Sequence, residues 1–205
     1  EFFDAIPIKQ FLKDESIWFE KFVHISGDKK ICFINKKTNI KSIEKKVNFK
    51  ISEKQNFIEY SPLGLKYLTD ILKSIKENKG GLLIIDYGYV AAKMKDTLQA
   101  IYKQKYSKVL KNIGKSDITH NINFYFFKKI AKNFQELDVN LTSQKNFLIN
   151  LGIQQRAEII GKNKTFTEKA DIFYRLKRLI NKKEMGDLFK VMLIKSLNNN
   201  SQIGF

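Results

Sequence analysis

Hydrophobic residues change their spacing along this chain, and each change marks an expected element. Between 18 and 25 the apolar positions alternate around Trp18, Phe19 and Phe22, and a second short apolar run covers 31–35. Gly27-Asp28 lies between them, so the pattern predicts a β-hairpin. The next stretch, 36–54, is polar and Lys-rich, with a weak strand-like beat at Ile40, Ile43, Val47, Phe49 and Ile51. It reads as a mobile excursion or an extra edge hairpin. Ser61-Pro62 then opens a helix, because Ser caps free N–H groups and Pro suits the first helical turn. Leu65, Leu68, Ile71, Leu72 and Ile75 keep a 3.6-residue period, and Asn78-Lys79-Gly80-Gly81 ends it.

The clearest strand is 81–88, where Leu82-Leu83-Ile84-Ile85 runs without alternation before Asp86-Tyr87-Gly88. An unbroken apolar run suits a strand covered on both faces, as in a parallel sheet. Helix, glycine turn, buried strand and acidic loop together read as half of a βαβ crossover. Farther on, 97–102 reads as extended, and 124–134 and 143–151 read as helices, with Gly152 a natural stop. The 166–181 segment is amphipathic, with Ala170, Phe173, Leu176, Leu179 and Ile180 on one face. Met185-Gly186 then turns into a last apolar strand at 188–193.

Composition sharpens this α/β reading. The chain has 205 residues, 43% of them hydrophobic, with 17 Phe and 8 Tyr, enough for one sizeable domain. Single Cys32 has no partner for a disulfide or a CxxC site, which fits a reducing cytosolic compartment. No apolar run is long enough to span a membrane, and the first residues lack a basic-then-apolar leader. Net charge is +17, yet only Arg156, Arg175 and Arg178 are arginines. Arg is the residue suited to bidentate phosphate and base contacts. The lysines are scattered rather than gathered in a stripe, so no specific nucleic-acid site is expected.

Two loops carry candidate chemistry. One is Glu1-Phe2-Phe3-Asp4-Ala5-Ile6-Pro7 and the other Asp86-Tyr87-Gly88; both read as the carboxyl ends of buried strands. Ligands of open α/β sheets bind beyond such ends, and a carboxylate there can align a cationic or amide group. Gly88 would let the backbone approach a ligand closely. The competing reading is that Asp86 caps a turn and Glu1 is a frayed end. His24 and His120 are the only histidines and make no HExxH-type pair, so no metal site is expected. Nor is there a serine nucleophile elbow or a phosphate-cradling glycine loop. An opening on an active-site loop suggests the downstream part of something longer.

Glu1 to Phe11 (EFFDAIPIKQF) closely resembles the NEFFDALPxxQF signature of MidA-like proteins, which include the mitochondrial complex I assembly methyltransferase. The resemblance continues, in family order, through Glu59-Tyr60-Ser61-Pro62, the GGLLIIDYG segment at 80–88 and Asp96-Thr97-Leu98-Gln99-Ala100. It goes on through Asp117-Ile118-Thr119, Phe147-Leu148-Ile149-Asn150-Leu151-Gly152-Ile153 and Met185-Gly186-Asp187-Leu188-Phe189-Lys190-Val191. It implies the second half of a seven-stranded, Rossmann-like class I methyltransferase sheet, with an antiparallel last strand and an extra β-hairpin, in a single domain over 1–205 that is incomplete at its N-terminus.

The implied activity is methyl transfer from S-adenosyl-L-methionine to a protein side chain, arginine, linked to respiratory complex I assembly. The implied partner is a protein substrate such as a complex I subunit; a homodimer, or pairing with a missing N-terminal half that carries the cofactor's glycine loop, would also fit. The location implied is the bacterial cytoplasm, or the mitochondrial matrix in eukaryotic relatives. On the residues, Glu1 and Asp4 are expected to act on the acceptor, with Phe2, Phe3, Pro7, Asp86, Tyr87, Gly88 and Thr119 around it. Asn121, Asn123 and Gln104 stand where the family carries His, Asp and His. The alternative is a non-catalytic remnant or split-gene half acting through protein binding.

Overall fold

The computed structural model describes residues 1–200 and 202–205, which fold as two layers of sheet around one aromatic-rich core. In the first layer β1 (Lys9–Asp14), β2 (Ile17–Ile25) and β3 (Ile31–Thr38) form an antiparallel meander, closed at Glu15 and at 26–30. The β2–β3 turn is tied by Ser26 N–H to Lys30 O at 2.9 Å, with Lys29 in the left-handed region at φ +61°. The expected hairpin is therefore present. Residues 40–47 are α1 (Ile40–Val47), which corrects the reading of 36–54 as an excursion or edge hairpin. The strand-like beat there is helical: Ile40, Ile43 and Val47 recur at i, i+3 and i+7, and all three are buried. Asn39 caps the start, accepting from Lys41 N, and Asn48 ends the helix at φ +50°.

β4 (Phe57–Tyr60) pairs antiparallel with β1, completing the order β3-β2-β1-β4. Ser61 then caps α2 (Pro62–Asn78), as expected: its Oγ accepts from Gly64 N at 2.9 Å and donates to Pro7 O at 2.7 Å. Leu68, Leu72 and Ile75 of α2 face the core. The left-handed residue that ends α2 is Lys79, one position before the glycines.

β5 (Gly81–Tyr89) lies in the second layer. After it come β6 (Gln99–Tyr102), β7 (Lys105–Ser107) and β8 (Asp117–Thr119), a small antiparallel sheet ordered β7-β6-β8. β9 (Ile122–Asn123), α3 (Phe124–Ala131), β10 (Leu137–Ser143), α4 (Gln144–Asn150), α5 (Ile153–Gly161), α6 (Phe166–Ile180), α7 (Met185–Leu188) and β11 (Phe189–Ser196) complete the chain. The second sheet has the order β10-β11-β5-β9. β11 is antiparallel to both neighbours, and β9 is parallel to β5 at Gly88 and Tyr89.

The structure qualifies two sequence expectations. β4 and β5 flank α2 but belong to different sheets, so β4 is not the parallel partner of the expected βαβ half, and α2 carries the chain from one layer to the other. β5 is also not covered evenly on both faces: Ile84 and Asp86 are buried, whereas Leu83 and Ile85 are exposed. Its long partner is antiparallel β11, and in the described residues its other edge is paired by strand only at Gly88 and Tyr89. The described residues thus show four strands in this sheet, among them the antiparallel β11 expected as the last strand. α6 is helical as read, but none of its residues is buried. No helix in the described residues is long and apolar enough to cross a membrane.

Candidate functional site

The end of β5 organises the first residues of the chain. Asp86 is fully buried, and its Oδ2 accepts from Phe2 N at 3.1 Å and Phe3 N at 2.9 Å, while Oδ1 accepts from Tyr87 N at 2.8 Å. Glu1 N donates to Ile85 O at 2.9 Å. The two acidic loops therefore meet side by side, as their strand-end positions implied. A carboxylate that spends three acceptor sites on backbone N–H groups holds the loop in shape. Asp86 positions the 1–4 segment.

That anchoring sorts the remaining candidates. Phe3 turns inward, 4% exposed, and packs edge-on against Phe2 and Phe127, each at 5.1 Å between ring centres. This corrects its assignment as a substrate contact: Phe3 is core. Phe2 stays exposed against Tyr67. Pro7 is exposed and its carbonyl is taken by the Ser61 cap. The side of Gly88 that was expected to face a ligand is filled by protein, and this too is a correction. A Cβ there would lie 2.4 Å from Ile122 O and 2.6 Å from the Phe124 ring, so the close approach is to β9 and α3.

Asp4 and Glu1 remain at the centre. Asp4 is 6% exposed, and burial, followed by the charges of Asp86 and Glu1, pushes its carboxyl above the ordinary 3.8. The Glu1 amino group and His120 pull the other way but do not offset this. Tyr87 lies beside Glu1, and its hydroxyl is pushed up by burial and by that carboxylate. Its ring packs on Phe189 at 4.1 Å. The Asp4 carbonyl accepts from His120 N at 3.0 Å, which brings β8 and the residues after it against the 1–7 loop. Asp4, Thr119 and His120 line a recess of about 290 Å³. Thr119 Oγ1 accepts from Gln99 Nε2 at 3.0 Å.

Sequence reasoning passed over three of these groups. His120 is buried beside Asp4, although a lone histidine near a strand reads as structural. Glu59 and Gln10, both buried, form a polar latch: Gln10 Nε2 donates to Glu59 Oε2 at 2.6 Å and Asp96 Oδ1 at 2.8 Å, while Lys21 donates to Gln10. Thr97 bonds Glu59 through N–H and hydroxyl, and Asn121 N donates to Thr97 Oγ1. The signal was present, because Gln10, Glu59 and Asp96-Thr97 each sit inside a motif block. Of the amides, Asn123 caps α3 through Phe126 N and donates Nδ2 to Ala91 O, a bond no Asp could make. Gln104 occupies the β6–β7 turn at φ +62°.

The described residues contain no group of three His, Cys, Asp or Glu that could hold a metal ion. Gly88 and Gly186 are closed by the protein's own backbone, and Gly27, Gly80 and Gly114 sit in open turns or loops. Asp4 is the carboxylate-bearing residue of the recess, whose other lining is largely apolar.

The zebrafish (Danio rerio) mitochondrial protein arginine methyltransferase NDUFAF7 is 27% identical over 192 residues, 93% of this chain and 44% of its own length. The chain thus spans less than half the length of that relative. An uncharacterized protein from Burkholderia thailandensis has the same fold, with a TM-score of 0.85 at 20% identity over 100% of this chain and 56% of its own. A "likely methyl transferase" from the same organism, bound to S-adenosyl-homocysteine, gives 0.80 at 21% over 100% and 54%. A model of the family described as "Putative S-adenosyl-L-methionine-dependent methyltransferase" matches residues 1–142. This chain belongs to that methyltransferase family.

Proposed function

We propose that the intact protein transfers a methyl group from S-adenosyl-L-methionine to an arginine of a protein substrate, and that these residues supply the acceptor side of the cleft. One observation carries the reading: Asp86 pins the 1–4 loop to β5, which sets buried Asp4 at the lining of a recess and leaves exposed Glu1 beside Tyr87. Paired carboxylates can hold a guanidinium, keep its charge away from the attacking nitrogen and receive its proton. The names of the curated relatives favour arginine as the acceptor, and a respiratory complex I subunit is the substrate this reading suggests. A further strand along the free edge of β5, leading into Glu1, would extend the sheet towards seven strands. The cofactor site falls outside the groups described above.

Incubating the full-length protein with tritium-labelled S-adenosyl-L-methionine and acceptor-cell protein, followed by acid hydrolysis, tests this. Label is expected in methylarginine; label confined to lysine or carboxyl groups would overturn the arginine reading. A second reading, protein binding without catalysis, is favoured by exposed Leu83 and Ile85 next to the free β5 edge. Full-length protein that transfers no label yet co-purifies with a stoichiometric partner would establish it instead.

A further inference from the structure

Tyr87 stands between two concavities. On one side it lies beside Glu1, and its ring packs on Phe189 at 4.1 Å. On the other, a recess of about 410 Å³ opens between the end of α6 and α7, where Tyr87, Tyr174, Arg178, Lys183 and Glu184 meet. Tyr174 and Arg178 are four residues apart on α6 and so share a face. Lys183 sits in the turn that follows, which is fixed by three bonds. Its N–H donates to Asn181 Oδ1 at 2.9 Å, and the Asn181 carbonyl accepts from Glu184 N at 3.1 Å and Gly186 N at 3.0 Å. Gly186 lets α7 close on this turn, since a Cβ there would lie 2.5 Å from Ile180 O. The concavity is therefore preformed, and Met185 and Leu188 of the 185–191 motif block give it an apolar side.

Charge decides what this recess fits. Arg175, on the same helix, is paired with Asp171 at 2.9 Å, whereas Arg178 and Lys183 are in no ion pair among the described residues. Two exposed cations facing one concavity repel each other, and a carboxylate between them relieves this, with Arg offering a planar pair of donors. Glu184 in the same lining favours a singly charged anion over a doubly charged phosphate. We infer that this recess is a second subsite for the acceptor protein, taking an aspartate or glutamate side chain that lies a few residues from the methylated arginine. The inference rests on the methyl-acceptor reading above and adds a sequence requirement, an arginine with an acidic neighbour. The Asp4 recess lies on the β8–β9 flank of β5, and the Arg178 recess on its β11 flank. An acceptor segment crossing Glu1 and Tyr87 would set its cation by carboxylates and its anion by cations. Opposite charges in two subsites fix the register of the segment.

The test uses full-length protein, S-adenosyl-L-methionine and otherwise neutral peptides that hold one arginine. Each carries glutamate or glutamine at a single position, from two to five residues to either side of it. At the preferred spacing glutamate is expected to lower KM about five-fold relative to glutamine, and phosphoserine there to do no better than glutamate. Arg178→Gln and Lys183→Gln should each cut the preference to under about two-fold, whereas Arg175→Gln, outside the recess, should keep it. Arg178→Glu should invert it, so that lysine is favoured over glutamine at the same position. Equal KM for glutamate and glutamine peptides at every spacing, a preference that survives Arg178→Glu, or phosphoserine bound more tightly than glutamate would each overturn the subsite. Methylarginine formed in those same assays would leave the functional reading standing. Fluorescence anisotropy with the same peptides covers the reverse case. A glutamate preference in binding that Arg178→Glu inverts, with no methyl transfer to any peptide, would keep the subsite and remove the functional reading.

Discussion

Asp4, in the first loop, and Asp86, in β5, are both buried carboxylates, and they have opposite effects on the fold. Asp86 satisfies three backbone N–H groups, so removing its charge leaves donors without a partner. Asp86→Asn is expected to cost about 2–3 kcal/mol in denaturant unfolding and to speed amide exchange at Phe2 and Phe3. A loss under about 0.5 kcal/mol would remove its anchoring role. Asp4 is raised above 3.8 by burial and by its acidic neighbours. Between the unfolded and folded values the folded state binds more protons, so stability falls as pH rises through that window. Asp4→Asn removes this cost: it should be more stable than wild type at neutral pH, with the gain fading as pH falls through the raised value and gone below about 4. A variant less stable than wild type at pH 7 would contradict the assignment. Both carboxylates were legible in the sequence as strand-end acids. Their division of labour was not, because spacing cannot show which one meets backbone N–H groups from 83 residues away.

At the scale of elements, the site depends on how closely β5, β9 and α3 meet. Gly88 has no room for a side chain, so Gly88→Ala should cost about 3 kcal/mol and loosen the loops on both sides. Thermal unfolding checks this, and a variant as stable as wild type would mean that β9 can move away at little cost. The long elements were readable: α2 from Ser61-Pro62 and its 3.6 period, β2 from alternation, β3 from its apolar run beyond Gly27-Asp28, and β11 from its apolar run. α1 was misread because Ile43, Val47, Phe49 and Ile51 fall on a two-residue beat, whereas Ile40, Ile43 and Val47 fit only the helical one. β10 escaped because Leu137, Val139 and Leu141 alternate in a short run bounded by polar residues. The end of α2 shows the limit of glycine punctuation: Lys79 takes the left-handed position although Gly80 and Gly81 follow it.

Across the whole molecule, the family blocks turn out to be the joints between layers. The Gln10, Glu59, Asp96-Thr97 and Asn121 contacts tie the antiparallel sheet to the loops around β9, and Glu1 to Asp4 tie the first residues to β5. The motifs could therefore be recognised one by one, whereas the two-sheet arrangement they hold together could not, since its pairings join residues far apart in sequence. The charge of +17 is spread over this frame, with lysines lying on Phe22, Phe33, Tyr89, Tyr102 and Tyr125 rather than in one stripe. The acidic recess stands out against that basic surface. Its role is tested most directly by single-turnover methyl transfer with full-length Asp4→Asn, alongside its affinity for S-adenosyl-L-methionine. Transfer should fall by about 100-fold or more, with cofactor affinity within about three-fold of wild type. Transfer at close to the wild-type rate would contradict the account.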